Sequence, residues 1–125
     1  MKNTKTLSSR VLSVSSVVIL LVVLLANMAS AAWKTFEFVN RTNRTIRALY
    51  ISNSGNNNWG DDLLGRYILE PGDSVNINYN AKYRYYDLKV VFAGGEDIVC
   101  WGHDFRRLWR LTFFWKGGDY YVRSN

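Results

Sequence analysis

From about residue 34 onward, apolar and polar residues alternate with a period of two in one short run after another, and clusters of Gly, Pro, Asn and Asp separate the runs. This pattern commits the chain to strands, because a period of two puts alternate side chains on opposite faces of an extended segment, whereas a helix needs apolar residues three and four apart. Phe36 and Phe38 alternate with Thr35 and Glu37, which places a first strand at about Lys34 to Asn40. Ile46, Ala48 and Tyr50 alternate with Arg47, Leu49 and Ile51, and the wholly polar segment Arg41 to Arg44 before them reads as a hairpin connection.

Residues 52–62, SNSGNNNWGDD, form the longest loop, since Ser, Asn, Gly and Asp either tolerate positive φ or bond their own backbone. Glu70-Pro71-Gly72-Asp73 is a turn, with proline presetting φ and glycine free to take the positive φ of a type II turn. Strands follow around Val75 to Tyr79 and Tyr86 to Phe92. Gly94-Gly95 then leads to Asp97 to Trp101, and Gly117-Gly118-Asp119 joins Trp109 to Trp115 with Tyr120 to Arg123. About seven short strands without helical periodicity predict an all-β fold, a small antiparallel β-sandwich, Ig-like or similar. In the last long run, Trp109, Leu111, Phe113 and Trp115 share one side, which is expected to be core.

The N-terminus follows a different logic. Lys2, Lys5 and Arg10 precede an apolar stretch from Val17 to Ala26 and then Ala29-Ser30-Ala31, the order of a signal peptide's charged, hydrophobic and cleavage regions. Residues 1–31 are therefore expected to be a Sec signal peptide with a hydrophobic helix, the alternative being a retained anchor, and residues 32–125 a single domain. The unbroken apolar run is shorter than the roughly 20 residues a membrane span requires, so contact with the membrane is expected only during export. The mature protein is expected to be secreted or periplasmic. The leader holds three of the 16 basic residues and none of the 10 acidic ones, leaving 13 basic against 10 acidic in the mature chain. So small an excess is a weak lure for polyanionic nucleic acid, and no nucleic-acid partner is expected. Cys100 is the chain's one cysteine; it is expected to be a small buried hydrophobe, and the core must stabilise the domain without an internal disulfide.

The segments F-V-N-R-T at 38–42, I-R-A-L-Y-I-S at 46–52, W-G-D-D-L-L-G at 59–65, L-E-P-G-D-S-V at 69–75 and Y-D-L-K-V-V at 86–91 occur in an order and spacing that resembles a family of small secreted bacterial β-sandwich proteins. The family is largely without assigned function, so the resemblance implies a fold and a compartment but no mechanism. In that family a cysteine often follows an Asp-Leu pair near the C-terminus. Here Asp104-Phe105 is followed by Arg106, and the cysteine comes earlier.

Candidate site residues fall in two groups. Asp61 and Asp62, with Trp59 beside them, raise the question of a calcium loop, but adjacent carboxylates do not converge on one ion, which takes six to eight oxygens. One of the two is expected to cap a short helical turn around Asp61 to Gly65, with Trp59, Leu63 and Leu64 covering an open end of the sandwich. His103 is the single histidine, followed by Asp104, and no nucleophile–base motif accompanies it. Arg106 and Arg110 lie among Phe105, Trp109 and Trp115, the interleaving of cations with aromatic rings that suits anionic polymers, sugars or single-stranded nucleic acid. No catalytic residue, metal ligand or cofactor is assigned. The expected function is a non-catalytic binding or structural module for an envelope component or a protein partner; the alternative is a small hydrolase or a calcium-binding domain using Asp61 and Asp62.

Overall fold

The computed structural model of the protein describes residues 32–56 and 58–125; the leader expected over residues 1–31 lies outside the described residues. Seven strands form: β1 (Trp33–Arg41), β2 (Ile46–Asn53), β3 (Ser74–Asn80), β4 (Tyr85–Phe92), β5 (Asp97–Asp104), β6 (Arg110–Lys116) and β7 (Asp119–Ser124). They make a four-stranded sheet in the order β3-β1-β6-β7 and a three-stranded sheet in the order β2-β4-β5. Pairing is mostly antiparallel, but β1 and β6 run parallel, with Glu37 opposite Arg110 and Arg41 opposite Phe114. The architecture is all-β and sandwich-like.

The core is built from the inward faces of both sheets. Phe36, Phe38, Leu111 and Phe113 of the larger sheet and Leu49, Leu88, Val90 and Phe92 of the smaller are all buried, and Phe92 meets Phe113 across the interface at 6.1 Å between ring centres. Phe105 and Leu108, between β5 and β6, close one region of it, where Phe36 and Tyr79 both meet Phe105 edge-on. Cys100 is half-buried against this core, and burial pushes its thiol pKa up.

Four expectations are corrected. The first is the hairpin over Arg41 to Arg44: β1 and β2 belong to different sheets. A tight hairpin turn requires residues at positive φ, residues 41–45 contain no glycine, and no non-glycine residue among the described ones has positive φ. The chain crosses between sheets instead, around a fully buried Asn40 whose side-chain amide donates to the carbonyls of Arg44 (2.9 Å) and Leu69 (3.0 Å). Its Oδ1 accepts from the Thr42 backbone N–H (3.0 Å) and hydroxyl (2.7 Å). The hairpins form where the chain has paired glycines: Gly117 and Gly118 both take positive φ between Lys116 and Asp119, as a two-residue turn needs.

Second, the alternation through Ile46, Ala48 and Tyr50 breaks at a bulge. Ile46 pairs with Phe92 but Ala48 with Val91, so one extra residue in β2 shifts the inward set to Leu49. Third, Trp109 and Trp115 are not core; they are 58% and 51% exposed while Leu111 and Phe113 between them are fully buried. Period two sets sides only within a strand and says nothing of depth. Trp109 precedes the first residue of β6, and Trp115 stands at the tip of the β6–β7 hairpin, edge-on to Tyr120 at 4.6 Å. The short helical turn around Asp61 to Gly65 is likewise absent from the described residues, replaced by turns closed by Gly65 N–H to Asp62 (3.3 Å) and Tyr67 N–H to Leu64 (3.0 Å).

Candidate ligand-binding faces

The asparagine-rich loop is a mounting for Trp59. The Asn56 side chain accepts the Asn58 N–H (3.0 Å) and the Asn58 side chain accepts the Gly60 N–H (3.1 Å), successive turns of the kind asparagine supports. Ser52, buried on β2, donates its hydroxyl to the carbonyls of Asn56 (3.1 Å) and Asn58 (3.0 Å) and ties the loop to the sheet. At the far end, Asp62 Oδ1 accepts the N–H groups of Leu49 and Leu64, both at 3.0 Å, and Leu63 N–H donates to Leu49 at 2.8 Å. Residues 62–69 thereby cover the free edge of β2, which would otherwise present open hydrogen-bonding groups. Asp62 acts as the expected cap, although on turns rather than a helix, and Asp61 is exposed beside it.

So held, the loop sets Trp59 against the outer face of the three-stranded sheet rather than over an open end of the sandwich. Lys89 of β4 places its ammonium 4.7 Å from the ring centre of Tyr50, its cross-strand neighbour, and 5.0 Å from that of Trp59. Trp101 of β5, 69% exposed, stands 6.2 Å from Trp59 with the rings inclined at 49°. Buried Asp87 anchors both aromatic supports: its Oδ1 accepts the Ser54 hydroxyl at the start of the loop and the Gly102 N–H, each at 2.8 Å. Gly102 follows Trp101 in a second bulge and needs its φ of +68°. Tyr50, Asp87, Lys89 and Trp101 come from three strands, and only the register shows that they are neighbours.

The remaining candidates are dispersed. His103 is half-buried in β5, opposite Tyr86; burial lowers its pKa, against the opposing pull of the Asp87 charge. Asp62 bonds the outer edge of β2, and β2 and β5 are the two edges of the sheet, two strand spacings or about 10 Å apart. Among the described residues, no three of His, Cys, Asp and Glu come together as a metal site would require.

Arg106 pairs with Asp104 (2.9 Å), which also binds Arg84 (3.2 Å). The Arg106 side chain, then its backbone N–H, hold the Asp104 carboxyl below its ordinary 3.8, at about 2. A depressed carboxyl pKa contributes stability that is full above the ordinary value and is lost as pH falls through the folded one. Asp104→Asn is therefore expected to flatten the stability profile between about pH 4 and pH 2, measured by urea denaturation across that range; an unchanged profile would show that this exposed pair contributes nothing.

Arg110 lies on the outer face of the four-stranded sheet. It binds Glu37 at 2.7 Å, and its guanidinium stacks 4.7 Å from the ring centre of Trp109. Both line a groove of about 500 Å³ with Val39, Arg41, Thr112, Phe114 and Arg123. The sequence candidates thus separate: Trp59 goes to one outer face, Arg110 to the other, and Arg106 and His103 to neither cluster.

The chain matches no protein-family model, no curated protein and no solved structure. Fold and site together define a class only, a small all-β, two-sheet protein with aromatic residues displayed on its outer faces.

Proposed function

We propose that this is an exported, non-catalytic binding module that recognises an envelope component, a glycan chain, through the Trp59–Trp101 platform. One observation carries the proposal. All five tryptophans lie outside the buried core, which is made of Phe, Leu, Ile, Val and Tyr. Tryptophan is on average a highly buried residue, and two of these rings are held side by side by a pinned loop and a bulge. A sugar ring presents an apolar C–H face and a hydroxyl rim; an inclined pair of indoles suits the first, and the ammonium of Lys89 with the nearby polar loop suits the second.

The signal peptide supports export, and the order of motifs from 38 to 91 supports membership of the secreted bacterial β-sandwich family. A hydrolase or calcium site on Asp61 and Asp62 has less support, because one oxygen of Asp62 is already engaged by two backbone amides. Stacking on an aromatic platform contributes on the order of 1–3 kcal/mol per ring where measured for bases. Trp59→Ala with Trp101→Ala is therefore expected to weaken retention of the purified protein on insoluble envelope polysaccharide at least about tenfold. Undiminished retention of the double variant, with its melting temperature unchanged, would refute the platform.

A further inference from the structure

The groove on the opposite face has a chemistry of its own. Glu37, Val39 and Arg41 of β1 face out beside Arg110, Thr112 and Phe114 of β6, in parallel register. Arg123 of β7 lies opposite Thr112. The floor, Val39 and Thr112, is neutral and nearly inaccessible, while Arg41 and Arg123 are exposed to either side of it. Arg110 is neutralised by Glu37, whereas Arg41 and Arg123 form no ion pair among the described residues. Among the side chains that line the groove, three guanidiniums stand against one carboxylate.

We infer that this groove binds an acidic polysaccharide, with Arg41 and Arg123 each taking a carboxylate and Glu37 accepting sugar hydroxyls. Arginine's planar fork matches a carboxylate in two parallel hydrogen bonds. Two further features select the ligand class. The aromatic rings carry cations of this same face, Arg110 over Trp109 at 4.7 Å and Arg123 over Phe114 at 5.9 Å, so the rings orient guanidiniums toward the groove. Glu37 accepts hydrogen bonds but would repel a phosphate chain that brings no donors. A uronate chain brings both carboxylates for the arginines and hydroxyls for Glu37. This site is independent of the Trp59 platform and lies on the other sheet.

Isothermal titration of the purified protein with polygalacturonate, polyphosphate, neutral dextran and single-stranded DNA tests the inference. The expected result is salt-sensitive binding of polygalacturonate, tighter than of polyphosphate or DNA, and none of dextran at this face. Arg41→Gln with Arg123→Gln is expected to weaken it at least about tenfold, while Arg66→Gln with Arg107→Gln, an equal loss of charge elsewhere, and Trp59→Ala with Trp101→Ala leave it within about twofold. Absence of polygalacturonate binding, equal losses in the two arginine pairs, or tighter binding of polyphosphate or DNA would each overturn it.

Discussion

Phe113→Ala is expected to cost about 3–5 kcal/mol, as removal of a large core aromatic does, whereas Trp109→Ala, four residues earlier in the chain, is expected to stay within about 0.5 kcal/mol of the parent. Phe113 has no exposed surface; it stacks on Tyr120 at 5.2 Å with rings nearly parallel and touches Phe38 and Phe92 from the two sheets. Its loss opens a cavity that neighbouring elements cannot fill without moving. Trp109 is more than half exposed and packs mainly under a guanidinium. A domain of this size has on the order of 5–15 kcal/mol of total stability, so the first substitution threatens folding and the second does not. Urea melts of both variants decide the matter: a comparable loss in Trp109→Ala would place that ring in the core and remove the aromatic wall of the basic groove.

The same pair of residues shows what was legible in the sequence. Alternation identified β1 to β4 and β6 and the glycine pairs marked where β5 and β7 begin, and the Pro71-Gly72 turn closes as its residues require, with Asp73 N–H donating to Glu70 at 3.0 Å and Gly72 at φ +90°. What alternation lacks is depth and partner. It assigned Trp109 and Trp115 to the side of Leu111 and Phe113 but could not tell that Trp109 precedes the strand and joins the outer groove, or that Trp115 stands at the hairpin tip. It could not reveal the bulge in β2, where one extra residue moves the buried position from Ala48's phase to that of Leu49. Nor could it join Tyr50, Lys89 and Trp101, which lie 39 and 12 residues apart in the chain and become neighbours only through the β2-β4-β5 register. Trp59 and Arg110 were recognisable because local composition marked them; their partners were not, because pairing across strands leaves no local mark.

Asn40→Ala is expected to cost about 1–3 kcal/mol, since it leaves the Thr42 N–H buried without a partner, whereas the Leu69 and Arg44 carbonyls keep the Ile46 N–H and the Thr42 hydroxyl as donors. That N–H is buried, where an unpaired polar group has no water to turn to. Asn43→Ala, three residues on and exposed, is expected to change stability by less than about 0.5 kcal/mol. A second variant isolates the network: Thr42→Val removes the hydroxyl that donates to Asn40 Oδ1 at 2.7 Å, so the double variant should cost less than the sum of the single ones, by about 0.5–3 kcal/mol of coupling. Strict additivity would mean that the two side chains do not act as one unit. The network matters beyond its energy, because it is the point at which β1 leaves the larger sheet for the smaller. Asn40 binds Arg44 and Leu69 at once, the two segments that lead into and cover β2. By sending the chain across instead of back, it leaves the outward residues of β1, Glu37 and Arg41 among them, free to line the basic groove, while Tyr50 of β2 joins the aromatic platform on the other sheet.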